Sequence, residues 1–309
     1  MRIALFCATQ RGYRFLEKLH RLLPDAELIV FSFSEDPWEP PFRDNIQRLT
    51  LAYGGQFFES RQVGAARWES LWQETPVDLM FAVSWRYIIP ASVYSRARLG
   101  AYVFHDSLLP AYRGFAPTVW AIINGEDHTG ATLLEMAGAY DAGRIIGQER
   151  VPIGPHETIA DLLGRVTDAY LRLLETHLPG LLDGSAPRFV QDESRATYTA
   201  KLLPEDFRID WHAPTAHIYN LIRATTRPYA GAYTTLEGRT LRIWSARPVE
   251  SPRRYVGRVP GRVVDFSPEQ GATVLTGDGL LRLIEVQAEG AEAVPAAALL
   301  NRIAYTLGR

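Results

Sequence analysis

The chain has 309 residues, 47% hydrophobic and 22% charged, the make-up of a globular protein with room for one large domain or two ordinary ones. With 33 basic against 35 acidic residues, a net charge of −2 and an isoelectric point near 6.4, the balance argues against affinity drawn from a basic face laid on phosphates, and a nucleic-acid partner is not expected. The single cysteine, Cys7, excludes a disulfide framework; no apolar run reaches the roughly 18 residues that span a bilayer, and no signal-peptide layout opens the chain, so a cytoplasmic protein without a membrane partner is expected.

Arg2–Ala8 is a short continuous apolar run, as expected of a strand buried on both faces. Gly12–Leu23 follows with Phe15, Leu16, Leu19, Leu22 and Leu23 at helical spacing and Pro24 as the stop. Glu27–Phe33 reads as the next strand, after which Pro37, Pro40 and Pro41 force an extended loop. Arg61–Trp72 is predicted helical, Val77–Ser84 a strand, and Gly100–His105 a strand that ends on His105. Gly130–Met136 and Ile145–Ile153 read as two further strands, with Tyr140-Asp141-Ala142-Gly143 as the turn between them. His156–Leu182 is a long helical stretch that Thr158 can cap. Pro187–Thr199 is polar and poorly periodic and reads as a linker, and Ala213–Thr225 is helical again. From about Gly231 the texture changes to short β-runs (Leu241–Ser245, Gly261–Asp265, Thr273–Leu275, Leu280–Glu285) with glycine-rich turns, the pattern of a small barrel. The fold class is α/β over residues 1–200, followed by a C-terminal domain, 201–309, with a helix and a β-barrel.

A doubly wound sheet does its chemistry beyond the carboxyl ends of its strands, which is where His105 falls. A strand-end histidine and an aspartate in a later turn, Asp141, can form an orienting pair, the carboxylate fixing the imidazole tautomer for acid–base work. By themselves the same residues are a weak signal, because a lone strand-end histidine is more often structural and a turn aspartate commonly bonds nearby backbone. Nothing after the first strand (Ala8-Thr9-Gln10-Arg11-Gly12-Tyr13) has the glycine spacing of a dinucleotide site. His128, His156 and His212 lack a ligand arrangement with nearby acidic or cysteine residues, so no metal is expected.

The block His105, Ser107-Leu108-Leu109-Pro110, Tyr112-Arg113-Gly114, followed by Asp141 and Gly143, resembles the Asn-x-His-x-Ser-Leu-Leu-Pro-x-Tyr-Arg-Gly loop and Asp-x-Gly turn of the folate-dependent formyltransferases of the methionyl-tRNA formyltransferase type. The likeness is closer to their amino-sugar branch, which includes the formyltransferase half of the bifunctional aminoarabinose-modifying enzyme. Asn124-Gly125-Glu126, Thr129-Gly130, Lys201-Leu202, Ile209-Asp210-Trp211, Ile222-Arg223-Ala224 and Pro228–Ala232 extend it over essentially the whole chain. The resemblance implies a Rossmann-like catalytic domain and an OB-like barrel. It also implies 10-formyltetrahydrofolate as formyl donor, a small amine as acceptor, most closely a nucleotide-linked amino sugar, and His105 with Asp141 as the catalytic pair. Donor contacts are implied at Arg86, Tyr87, Ile89, Ser107, Leu108, Leu109, Pro110, Ala137 and Tyr140. Acceptor contacts are implied at Tyr112, Arg113, Gly114, Trp120 and Lys201, although Arg86 and Arg113 serve equally as surface arginines, and Tyr112 and Trp120 as core.

One position departs from the family loop. Val103 stands where the family has its catalytic asparagine, and valine cannot donate a hydrogen bond to the oxyanion. One missing donor costs about 10²–10³ in rate. Three readings stay open: a protonated Asp106 or the adjacent Ser107 takes over; His105 and the backbone carry a slower reaction; or formyl transfer is lost and the fold serves a folate hydrolase or a binding protein. Initiator methionyl-tRNA is the alternative acceptor, and the sequence leaves a homodimer open.

Overall fold

The computed structural model describes residues 1–36, 39–74, 76–250 and 253–309; Pro37 of the expected proline loop lies outside them. Backbone contacts divide the chain into two compact units. The first comprises Met1–Pro117, His128–Pro152 and Gly164–Ala200, the second Thr118–Asp127, Ile153–Leu163 and Lys201–Arg309.

In chain order the elements up to Ala200 are β1 (Arg2–Cys7), α1 (Thr9–Leu22), β2 (Glu27–Ser32), α2 (Arg43–Ala52), β3 (Gln56–Glu59), α3 (Glu69–Glu74), β4 (Val77–Val83), α4 (Ala91–Tyr94), β5 (Ala97–His105), β6 (Arg113–Gly114), α5 (Pro117–Ile123), β7 (His128–Glu135), β8 (Ile145–Pro152), α6 (Ile159–Asp183) and β9 (Tyr198–Thr199). Among the described residues, seven strands form one sheet in the order β3-β2-β1-β4-β5-β7-β8. The first five run parallel, and β7 and β8 are antiparallel to their neighbours. The apolar run of β1 is central and Ile3–Cys7 is fully buried, as a strand covered on both faces must be. Burial pushes the Cys7 thiol well above its ordinary range. α1 begins at Thr9, so Gly12 lies inside the helix rather than at its start, at a point where a Cβ would come 2.9 Å from the Cys7 Cβ.

Several sequence expectations are corrected here. α2 and β3 occupy a stretch that reads as loop; α2 is started by Glu35, whose carboxylate accepts the N–H groups of Phe42 (3.1 Å) and Arg43 (3.3 Å). The helix expected over Arg61–Trp72 begins only at Glu69, after a 3₁₀ turn. Ser60 Oγ accepts the Gln62 N–H and the Trp68 indole N–H, and Trp72 gives its indole N–H to the Val63 carbonyl, so residues 61–65 are tied as a turn. Thr158 precedes α6, but its hydroxyl donates to Asp161 (2.7 Å) instead of capping an amide. Pro187–Thr199 is no linker. Phe189 bridges to Ile145, β9 pairs with β6, and the whole stretch belongs to the first unit.

In the second unit the chain from Lys201 forms α7 (Thr215–Thr225), β10 (Ala232–Leu236), β11 (Arg239–Pro248), β12 (Val263–Ser267), β13 (Gly271–Leu275), β14 (Leu280–Ala288), β15 (Ala293–Pro295) and α8 (Ala296–Leu299). The strands pair antiparallel in the order β10-β11-β14-β13-β12, with β15 on β14. Ile218, Leu221 and Ile222 of α7 and Leu241, Ile243, Leu281 and Leu283 of the sheet supply buried apolar side chains. An α/β Rossmann-like unit and a small antiparallel β unit are the architecture that the fold class anticipated.

Candidate active site

Three parallel strands, β1, β4 and β5, end side by side, and β5 ends on His105. Successive strand residues face opposite sides of a sheet, so His105 shares its face with Val103 and Asp106 turns the other way. The imidazole is buried, with Nδ1 3.6 Å from Asp141 Oδ1 and Nε2 2.8 Å from the Tyr112 carbonyl oxygen. A carbonyl only accepts, so Nε2 carries the proton in that bond. At 3.6 Å the Nδ1 side is longer than a hydrogen bond, and a bond closes there only when Nδ1 also carries a proton. Expected partners His105 and Asp141 are thus brought together.

The carboxylate is held from several sides. Its Oδ2 accepts the Gly114 N–H at 2.8 Å, and the Asp141 carbonyl accepts from Gln191 Nε2 at 2.7 Å. Asp141 has φ +50°, a left-handed conformation that non-glycine residues hold only where surroundings fix it. Gly143, two residues on, admits no side chain, since a Cβ would lie 1.8 Å from the Glu135 carbonyl oxygen.

Both expected substitutes for the missing asparagine are engaged elsewhere. Asp106 Oδ2 lies 3.4 Å from Arg11 and its Oδ1 accepts from the Tyr170 hydroxyl at 3.4 Å. Burial, reinforced by Asp106, pushes the Tyr170 hydroxyl far above its ordinary range. Ser107 gives its hydroxyl to the Ala111 carbonyl at 2.7 Å. Val103 itself pairs with Ala82 and Leu134 across the sheet and packs with Leu109, Leu134 and Ile145, an apolar wall two residues from His105.

The Ser107–Pro110 loop is fixed by polar bonds. Thr132 gives its hydroxyl to the Ser107 carbonyl and accepts the Leu109 N–H, and Gln148 donates to the Leu109 carbonyl; Leu108 covers Gly130, where a Cβ would meet it at 2.4 Å. Arg113 is the clearest departure from expectation. Its guanidinium is buried, donating to Gln191 Oε1 from Nε and Nη2, to Glu193, and to the Tyr198 hydroxyl. The Glu193 hydrogen bond holds Arg113 above its ordinary pKa and Glu193 below its own. That makes Arg113 an internal strut of the loop rather than a side chain free to meet an anion. Gln191, which joins Arg113 to the Asp141 turn, escaped the sequence reading; a polar residue in an aperiodic stretch gives no local signal.

On the other flank, Arg86 is tied to Asp36 and Glu39, Tyr87 sets its ring edge-on to Phe33 at 4.9 Å, and Ile89 is half-buried. Trp85 Nε1 in this loop is buried without a hydrogen-bond partner among the described residues. Ala137 and Tyr140 are exposed. Tyr112 holds φ +62°. Trp120, half-buried, and Lys201, exposed, belong to the second unit. Among the described residues no group of three or more His, Cys, Asp or Glu could hold a metal, and no helix is long and apolar enough to cross a membrane.

Comparison with known proteins follows the same outline. HypX from Aquifex aeolicus in complex with tetrahydrofolic acid is 20% identical with a TM-score of 0.65, over 97% of this chain and 47% of that one; the chain thus spans about half the length of HypX. The N-formyltransferase from Helicobacter canadensis, in complex with folinic acid and dTDP-3-aminofucose, is 16% identical with a TM-score of 0.64, over 94% of this chain and 99% of that one. A sugar N-formyltransferase from a Shewanella species is 20% identical with a TM-score of 0.62, over 79% and 96%. At these identities the likeness establishes the fold. The family models described as "Formyl transferase" and "Formyl transferase, C-terminal domain" match residues 27–178 and 201–304. The chain therefore belongs to the formyl transferase family.

Proposed function

We propose that the protein transfers the formyl group of 10-formyltetrahydrofolate to the amine of a nucleotide-linked amino sugar, with His105 and Asp141 as its catalytic pair. The observation that carries this reading is the His105–Asp141 pairing at the carboxyl end of β5. The amine nitrogen forms a bond to the formyl carbon, the carbon's bond to the folate nitrogen breaks, and one proton leaves the amine and ends on the folate. His105 is suited to carry that proton, because the charged ring gains a hydrogen bond to Asp141 Oδ1 that the neutral ring lacks. The Tyr112 carbonyl holds the ring at Nε2 meanwhile.

The Trp85–Ile89 loop fits a flat heteroaromatic donor. It offers aromatic surface in Tyr87 and Trp85 and one buried indole N–H without an acceptor among the described residues, and a buried donor left unpaired costs about 1–3 kcal/mol. Folinic acid and a dTDP-linked amino sugar in the Helicobacter canadensis structure support the same pair of substrates here. Val103 offers no oxyanion donor, so the reading is of a transferase that relies on His105 and main-chain groups and runs slower for it.

The experiment is to incubate the protein with 10-formyltetrahydrofolate and a panel of amino-sugar nucleotides, following product mass, with His105→Ala alongside. Formylated sugar that disappears in His105→Ala is expected. Formylation of charged tRNA and of no sugar nucleotide would overturn the acceptor, and deformylation of the folate without an acceptor would make the protein a hydrolase.

A further inference from the structure

Gln191 lies outside every motif that points to the reaction, yet its side chain joins the Asp141 turn to Arg113. It is 6% exposed. Its Nε2 donates to two carbonyls of one turn, Asp141 at 2.7 Å and Gly143 at 2.8 Å. Its Oε1 accepts from Arg113 twice, at 3.2 and 2.8 Å. All four polar positions of a buried amide are thereby used, which fixes both its place and which end is nitrogen, since carbonyls can only accept and a guanidinium can only donate.

We propose that Gln191 is a positioning residue for the catalytic pair, an inference that rests on the reading of His105 and Asp141 as that pair. Asp141 holds its left-handed backbone with Gln191 on its own carbonyl and on the carbonyl two residues later. The side chain is then aimed by the Gly114 N–H on Oδ2, leaving Oδ1 for His105 Nδ1. The backbone anchor and the side-chain anchor share a support, because Gly114 follows Arg113 and Arg113 grips Gln191. Gln191 thus sets the Asp141 turn and the Gly114 amide to one register. Releasing it frees the turn from the loop, and a displacement of the carboxylate by about 1 Å is enough to cost on the order of 10²-fold in rate.

Gln191→Glu isolates this role. It keeps an acceptor for Arg113, so the buried guanidinium stays paired, and it removes the donor to both carbonyls. The first readout is the ring ¹⁵N shifts of His105 in histidine-labelled protein, compared among wild type, Gln191→Glu and Asp141→Asn. The second is steady-state kinetics with 10-formyltetrahydrofolate and dTDP-3-aminofucose. In Gln191→Glu the His105 shifts move in the sense seen for Asp141→Asn while the other histidines stay in place. Its kcat falls about 10- to 100-fold with both KM values within about twofold, and the double variant is no slower than Asp141→Asn, as for groups acting through one unit. His105 shifts unmoved in Gln191→Glu but moved in Asp141→Asn would overturn the inference and leave the catalytic pair standing. Shifts unmoved in both would overturn the pair, and the inference with it. The spectroscopic arm needs no acceptor, so it decides the matter whichever sugar nucleotide is turned over.

Discussion

The Gly114 amide and the Asp141 carboxylate meet at 2.8 Å, joining two loops 27 residues apart in sequence. Gly114 can do this because it lies at φ +107° with its Cα against β9, where a Cβ would come 2.6 Å from the Thr199 carbonyl oxygen. Gly114→Ala therefore has to move backbone. Strain of that kind costs about 1–3 kcal/mol, and the shift pulls the amide from Asp141. We expect a lower melting temperature together with a fall in kcat; a variant that melts lower with full activity would show that the amide does not set the carboxylate.

Val103 is the second test. Asparagine there stands beside His105 on the same face of β5, where it can donate to the developing oxyanion. An added donor of this kind raises kcat by up to about 10²-fold, while placing an amide on a half-buried apolar wall costs about 1–3 kcal/mol of stability. Steady-state rates and urea unfolding of Val103→Asn check both. An unchanged kcat would mean that the oxyanion already has its full set of donors.

Arg113 gives a prediction that separates shape from charge. Lysine keeps the charge but cannot reproduce the fork that reaches Gln191, Glu193 and Tyr198 at once. Arg113→Lys should lose about 2–3 kcal/mol, the scale of charged hydrogen bonds. The loss should survive high salt, because the Gln191 bonds are buried whereas Glu193 is exposed and screened. Denaturant titrations at low and high salt measure it. A loss that vanishes in salt would assign the strut to Glu193 alone.

His177 of α6 predicts a pH dependence. Its ring packs on Gly147, and burial holds its pKa below the ordinary 6.5. The unfolded state then takes up the proton first, so stability is lost as pH falls from about 6.5 toward the folded value, and above 6.5 the group contributes no pH dependence. Glu59 and Asp78, lowered chiefly by Arg43 and by the Arg2 amide, lose their contributions further into acid. His177→Gln should flatten the urea midpoint between about pH 7.5 and 5.5; an unchanged slope would place the titrating group elsewhere.

What the sequence revealed follows from where the signal lies. β1, β4 and β5 are legible because a strand buried on both faces is a continuous apolar run. α2 was illegible because only Ile46 and Thr50 of its ten residues are buried, too thin a stripe to show helical period, and its start is supplied by Glu35 from outside the helix. The stretch from Pro187 to Thr199 looked like a linker because it is polar, yet Gln191, Glu193, Thr197 and Tyr198 spend that polarity on the loop of Tyr112 and Arg113. Such bonds cross about eighty positions of sequence, and no local periodicity records them. His105 and Asp141 could be paired from motif spacing. That Arg113 faces inward could not, since an arginine in a loop carries the same letter whether it meets a ligand or a buried glutamine.

Cys7 gives the chain a property unrelated to its chemistry. The thiol sits in an interior strand of the sheet, between β2 and β4, with no exposed surface and with its thiolate suppressed, and it is the sole sulfhydryl in the sequence. A thiol-directed dye can reach it only when β1 leaves the sheet. Labelling kinetics in native buffer would therefore clock the opening of the core itself, in the unmodified protein, with no engineered reporter and no competing site.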